Sequence, residues 1–380
     1  MIVEALNSHL NIQEYLEKLG VDSGGIAVLS AKAKLHLVAI KGLHVGGANI
    51  LKQDALSIGA DVAVPRGTVI AAQKEVDVLL IATTKHLKLL AKKELAQPFG
   101  LKEVAHKLQA ILKATYPKET KIMGVINAND DSFFSQSRFV DKDAIAKIEK
   151  MIEEGADIID IGGVSSRPNA PVVSAKEELE RVTPILDVIR ETKLYEKVTL
   201  SIDSYTPSVI EKALESGFSI VNDITGLADE KVCRLCASYN ATAVIMHMQG
   251  TPQTMQNNPS YSDVLDDVYT FLAQRVTRAE SFGVKDIILD VGIGFGKTLQ
   301  DNIALVQHLE HFLTLDKPLL VGASRKSMID KIFPSEVEQR LSGTLAIHLE
   351  ALRNGASVLR VHDVYEHKQA LEVFKALNSH

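Results

Sequence analysis

At 380 residues, with 46% hydrophobic and 24% charged residues, the chain has the composition of a globular protein longer than one ordinary domain. No apolar run approaches the roughly 20 residues of a membrane-spanning helix, and residues 1 to 11 carry Glu4 with no basic stretch ahead of an apolar core, so neither an anchor nor a secretory signal is expected and a cytoplasmic protein is. A formal net charge of -6 argues against nucleic acid as a partner, while leaving room for a local basic pocket that takes a phosphorylated small molecule.

Residues 1 to 115 alternate short elements. Apolar periodicity predicts helices over 11–19, 49–57, 85–95 and 102–113, and strands over 25–29, 35–40, 61–64 and 76–82, which together read as a small α/β domain of unassigned role. Gly24-Gly25 and Gly46-Gly47 lack the GxGxxG or GxxxxGK spacing that surrounds an anion with backbone amides, and are read as turns. Residues 115–118 read as the linker.

From Lys121 onward the rhythm becomes regular. Strands are predicted over 122–127, 158–161, 198–202, 219–222, 242–246, 287–290, 319–321 and 358–361. Helices are predicted over 142–154, 176–191, 207–216, 230–238, 261–282, 302–312, 336–354 and 365–377, with Gly155, Gly217, Gly283 and Gly355 marking helix exits. Eight strands alternating with eight helices over about 260 residues is the length of a (β/α)8 TIM barrel, placed here at 118–380, with a doubly wound open sheet as the competing arrangement. Cys233 and Cys236 have the CxxC spacing, but they fall inside a predicted helix with no second ligand pair and are read as two thiols without a functional role.

A barrel places its chemistry on the loops after the strands. Each predicted strand ends in a polar group: Asn127, then Ser165-Ser166-Arg167-Pro168, Asp203, Asn222, His247, Asp290, Ser324-Arg325-Lys326-Ser327, and Arg360 with His362. Asp203, Asn222 and Asp290 suit a flat heterocycle rich in N–H donors, because a carboxylate accepts two parallel hydrogen bonds from an amino-pyrimidinone edge; the plainer role for each is to cap the following helix. Arg167, Arg325, Lys326 and Arg360, with His362, suit a phosphate-bearing substrate, against the alternative of solvated surface charge. Lys297 fits either description. Gly292, Gly294 and Gly296 suggest backbone brought close to a planar ligand on which Phe295 stacks, and Asp130, Asp131 and Ser132 are hard oxygen donors suited to Mg2+ bound with a diphosphate.

These stretches resemble the dihydropteroate synthase family. The resemblance rests on Met123-Gly124-Val125-Ile126-Asn127 with Asp131-Ser132-Phe133, on Gly155 through Gly163 with Ser165, Arg167 and Pro168, and on Ser201-Ile202-Asp203 and Asn222-Asp223-Ile224. It continues through Met246-His247, Leu289-Asp290, Gly292 through Lys297, Ser324-Arg325-Lys326-Ser327 and Arg360-Val361-His362-Asp363, covering about residues 118 to 380. It implies condensation of 6-hydroxymethyl-7,8-dihydropterin diphosphate with 4-aminobenzoate, with Asn127, Lys326, Arg360 and His362 as the catalytic set. It also implies a pterin held by Asp203, Asn222, Ile224, Met246, Asp290, Phe295 and Lys326, and a diphosphate held by Asn127, Arg360 and His362 with Mg2+ on Asn127. Aminobenzoate is expected against Phe133, Ser166, Arg167, Pro168, Lys326 and Ser327, where sulfonamides would compete, and a homodimer is implied. Asn129-Asp130 replaces the family's Thr-Pro, and Val164 and Ser166 stand where Glu and Thr are usual. The competing readings are a pterin-binding methyltransferase-type barrel, a Schiff-base aldolase and a non-catalytic pterin-binding protein.

Overall fold

The computed structural model describes residues 1–6, 10–127, 139–164 and 173–378, and by its internal packing the chain divides into Met1–Ala114 with Lys375–His380, and Thr115–Phe374. The first unit runs α1 (Ile12–Lys18), α2 (Ser23–Ala33), β1 (Leu35–His44), α3 (Val45–Ile58), β2 (Asp61–Ala63), β3 (Glu75–Thr83), α4 (Thr84–Lys93) and α5 (Leu101–Lys113). Its antiparallel sheet has the order β1-β3-β2. Side chains alternate across a strand, so Val76, Val78, Leu80 and Ala82 share one face of β3, where they form a core with Leu51 of α3, Leu87 and Leu90 of α4 and Leu108 of α5. On the opposite face Leu35, Leu37 and Leu79 stay exposed.

Two readings of this unit are corrected. Residues 25–29 belong to α2 and not to a strand: a short apolar run does not distinguish strand from helix by periodicity, and the Ala31-Lys32-Ala33 that follows favours helix. The glycine pairs are likewise not turns but lie in the first turns of α2 and α3. A Cβ on Gly47 would stand 2.8 Å from the Phe99 carbonyl oxygen, so it is the close approach of that backbone that requires glycine.

The second unit continues β4 (Lys121–Asn127), α6 (Phe139–Glu153), β5 (Ile158–Gly162), α7 (Ala175–Thr192), β6 (Thr199–Asp203), α8 (Pro207–Glu215), β7 (Ile220–Asp223) and α9 (Glu230–Ser238). Then come β8 (Thr242–Met246), α10 (Val264–Ser281), β9 (Ile287–Asp290), α11 (Leu299–Gln307), β10 (Leu319–Val321), α12 (Ser327–Ile332), α13 (Leu341–Arg353), β11 (Val358–Val361) and α14 (Val364–Asn378). Strands β4 to β11 form a closed barrel in chain order, each parallel to the next, with β11 returning to β4. The expected TIM barrel is therefore present. Met123, Ile158, Ile220, Val244, Ile288, Leu320 and Val358 fill its interior, which makes the barrel a packed core and leaves the rim to carry polar groups. Gly155, Gly217, Gly283 and Gly355 all take positive φ, from 92° to 99°, at helix exits.

Helix bounds differ locally from those expected. Helix α10 starts at Val264 because Asp263 caps it, accepting from the backbone N–H groups of Leu265 and Asp266. The stretches 302–312 and 336–354 are each split between an α-helix and a 3-10 turn, and α12 was not anticipated at all. Cys233 and Cys236 are buried free thiols in α9, both lifted above the usual thiol range by burial.

One buried group makes the first unit sensitive to pH. Glu94, just beyond α4, is fully enclosed, and neither of its carboxylate oxygens accepts a hydrogen bond. Burial first, and the Asp54 carboxylate second, raise it from 4.5 to about 7. A folded-state value above the unfolded one means stability that is complete at low pH and is lost as pH rises through about 7. Glu94→Gln is expected to remove that dependence, raising the stability of this unit by up to about 3 kcal/mol at about pH 8 and changing little at about pH 4. Thermal melts of both proteins across pH check this, and parallel curves would overturn it.

Candidate active site

The strand ends bring a buried ionic cluster into the barrel mouth. Arg360, on β11, donates from Nε to Asp160 Oδ2 at 2.6 Å and from Nη2 to Asp203 Oδ2 at 2.6 Å. Asp160 also accepts from Ser201 Oγ at 2.6 Å and from Asn222 Nδ2 at 3.1 Å. The barrel register explains why these groups meet: Asp160 pairs with Ser201, and Asp203 with Asn222, on neighbouring strands. Burial works against the Arg360 charge, but the carboxylates of Asp160 and Asp203 outweigh it and hold the guanidinium protonated. Burial lifts Asp203 from 3.8 to about 7 against the pull of Arg360, and the Asp160 carboxylate adds to the rise.

Asp160 and Ser201 were not among the residues singled out from the sequence as ligand-binding. The signal was present, since an acidic residue inside the fully buried run Ile158-Ile159-Asp160-Ile161 needs a partner. What the sequence lacked was the identity of that partner.

Beside the cluster, Ile224, Met246, Met255 and Phe295 pack into one apolar group. Lys326 Nζ lies 4.1 Å from the centre of the Phe295 ring, a cation–π distance. Asp290 closes this side, with Oδ1 accepting from the Gly292 N–H at 2.7 Å; burial raises its carboxyl against that N–H, Lys326, Lys297 and Arg360. Asp203, Asn222, Asp290 and Lys326 thus converge where a flat donor-rich ring would enter. The slot has both a polar edge and apolar walls.

The glycine loop is held from beneath by Lys297, which is 2% exposed. Its Nζ donates to the carbonyls of Gly292 at 2.9 Å and Phe295 at 3.0 Å, and meets His247 Nδ1 at 2.9 Å. Burial brings Lys297 down to about 7 and His247 down to about 3, so His247 is a neutral acceptor. A Cβ on Gly292 would lie 1.9 Å from the His247 carbonyl oxygen, so only glycine lets the loop press against β8. Lys297 is therefore a clamp on the loop that presents Phe295. Neither reading from the sequence, surface charge or phosphate ligand, describes it.

Two further cations have different fates. Arg325 pairs through Nε and Nη2 with both carboxylate oxygens of Asp363, which fixes its guanidinium beside the loop after β11. Nδ1 of His362 meets Ser324 Oγ at 2.9 Å, and burial, with Arg360 next, lowers this histidine to about 4. Without an anion present His362 is a neutral imidazole, so Arg360 supplies the charge on that side. Ser327 begins α12 directly after Lys326 and is exposed.

Asn127 ends β4 opposite Gly162, half-buried at the mouth. Phe133, Ser166, Arg167 and Pro168, and the oxygen donors Asp130, Asp131 and Ser132, lie outside the described residues. Among the described residues no group of three His, Cys, Asp or Glu side chains could hold a metal. A single amide oxygen at the rim still fits Mg2+, which keeps most of its waters and binds chiefly through substrate phosphates.

A family model described as "Pterin binding enzyme" matches residues 123–362, and the fold and mouth define a barrel enzyme of that class. A bifunctional dihydropteroate synthase/dihydropteroate reductase from Helicobacter pylori is 42% identical over 377 residues, covering 99% of each chain. The dihydropteroate synthase of Haemophilus influenzae is 42% identical over 259 residues, covering 67% of this chain and 93% of its own. The crystal structure of the Thermus thermophilus dihydropteroate synthase in complex with 4-aminobenzoate superposes with a TM-score of 0.62 at 39% identity, covering 68% of this chain and 95% of that one. The chain belongs to the dihydropteroate synthase family.

Proposed function

We propose that the barrel mouth joins 6-hydroxymethyl-7,8-dihydropterin diphosphate to 4-aminobenzoate, a transferase reaction that yields 7,8-dihydropteroate and diphosphate for folate synthesis. The observation that carries this is the convergence of Asp203, Asn222, Asp290 and Lys326 on a slot walled by Ile224, Met246 and Phe295, with Arg360 and His362 at its rim. The carboxylates and Asn222 receive the N–H groups of the pterin edge, and Lys326 donates to its oxygen or ring nitrogen. Arg360 uses only two of its N–H donors on Asp160 and Asp203, so the rest of the guanidinium can meet the diphosphate, with His362 and Asn127 beside it. Mg2+ held between Asn127 and the diphosphate would neutralise the leaving group. The C–O bond to diphosphate breaks and the aminobenzoate nitrogen bonds to the freed methylene carbon, which the pterin ring stabilises. The amine then sheds a proton to the departing diphosphate or to water. Ser327, with Phe133, Ser166, Arg167 and Pro168, is assigned to the aminobenzoate.

A second reading concerns the whole chain and rests on the end-to-end match to a relative named for two activities. We infer that this protein also reduces dihydropteroate: a hydride from reduced nicotinamide or reduced flavin, with one proton, saturates the remaining C=N bond of the dihydropterin ring. On the same view the protein is a cytoplasmic homodimer. The exposed side chains of Ile332, Phe333 and Val337, close together in sequence, support association, and the buried free thiols suit a reducing compartment.

Diphosphate release is expected only when the pterin diphosphate, 4-aminobenzoate and Mg2+ are all present, with sulfonamide competing against aminobenzoate, and Lys326→Ala is expected to lose at least about 100-fold in kcat/KM. A wild type that binds the pterin diphosphate without releasing diphosphate would instead favour a binding role. Incubation with dihydropteroate and either reductant should give a product heavier by two hydrogens, and its absence with both would remove the reductase reading. Sedimentation of the purified protein as a monomer at micromolar concentration would exclude the dimer.

A further inference from the structure

Helix α13 carries a polar stripe, Arg340 at its N-cap and then Thr344 and His348, at intervals of four residues, so that all three project from one side. Thr344 is 0% and His348 1% exposed. Each meets the backbone of the segment that leaves β10. His348 Nε2 accepts from the Ala323 N–H at 3.1 Å, Thr344 Oγ1 accepts from the Arg325 N–H at 3.0 Å, and Arg340 Nη1 donates to the Arg325 carbonyl at 3.2 Å. A Cβ on Gly343 would lie 2.6 Å from Ile329 Cγ2, so the helix sits as close to α12 as the backbone allows.

The stripe grips a segment that would not hold its shape alone. Arg325 has φ of 57°, the left-handed conformation, which L-residues other than glycine adopt at a cost. Its side chain is clamped by Asp363, and that residue is in turn tied to the stripe. His348 Nδ1 meets His367 Nε2 at 2.9 Å, and His367 Nδ1 meets the Asp363 carbonyl at 2.6 Å. These partners determine the tautomers. His348 Nε2 accepts an N–H, so its proton is on Nδ1 and is donated to His367 Nε2, whose own Nδ1 proton goes to Asp363. Burial keeps both rings neutral. The loops after β10 and β11 are thereby joined to each other and to α13, and Lys326 is the next residue after the gripped one.

We propose that Thr344 and His348 are positioning residues for the condensation, acting through the Ala323–Arg325 backbone to set where the Lys326 ammonium stands. Neither touches the slot itself. The inference rests on the synthase reading, and turnover by the wild type tests that reading separately.

Thr344→Val keeps the side-chain shape and removes the acceptor, whereas Thr344→Ser keeps the acceptor. The valine variant is expected to weaken binding of the pterin diphosphate and to lower kcat/KM by about 10- to 100-fold, the scale of a misplacement near 1 Å, while the serine variant stays within about threefold of wild type. Dissociation constants from calorimetry should show no further loss when Thr344→Val is added to Lys326→Ala, because both act on one contact. His348→Leu should behave like the valine variant and His348→Gln, which can still accept and donate, like the serine one; this second pair decides the matter if Thr344→Val does not fold. An unchanged Thr344→Val or His348→Leu, equal losses in the serine and valine variants, or an undiminished loss in the Lys326→Ala background would overturn the proposal.

Discussion

Arg360, held between Asp160 and Asp203, is the interaction around which the mouth is built. Removing ions from water costs several kcal/mol each, so leaving either partner unpaired here would be strongly destabilising. The cost is offset only because the geometry is well satisfied: Asp160, fully buried, receives Ser201 and Asn222 as well as the guanidinium. Residues of β5, β6, β7 and β11 are thus bound into one network. The same network presents acceptors and one fixed cation at the mouth, partly buried, where each interaction is stronger than at the surface.

The slot beside it is stiff for a different reason. Lys297 ties the glycine loop to its own carbonyls and to His247, and Gly292 permits a contact that any side chain would block. On the other side, the left-handed Arg325 and the stripe of α13 brace the segment that carries Lys326. Phe295 and Lys326 therefore face each other from two independently fixed loops. Preorganisation of this kind places donors and acceptors before the substrate arrives, so that little reorganisation is left for the moment of reaction.

The unit that precedes the barrel has its own core and its own liability. Leu51, Leu80, Leu87 and Leu108 share one apolar core, yet Glu94 is enclosed near Asp54 with no hydrogen-bond donor to its oxygens.

The sequence by itself determined the barrel and most of the candidate slot. Runs such as Ile122 to Ile126 and Thr242 to Met246, each closing on a polar residue, carry their strand character locally, and the glycines that end the helices are tied to positive φ by sterics alone. Asp203, Asn222, Asp290 and Arg360 could be singled out because each stood at the end of such a run, and Lys326 because it lay in the loop after one. Short apolar runs without a clear period, as at 25–29, were misread because strand and helix share that pattern. Only the tertiary structure decided how each charge is partnered: Arg360 with Asp160, 200 residues away, Arg325 with Asp363, and Lys297 beneath its own loop. Local preference is written residue by residue, whereas the partner of a buried charge is chosen when the barrel closes and brings distant strands within hydrogen-bonding distance.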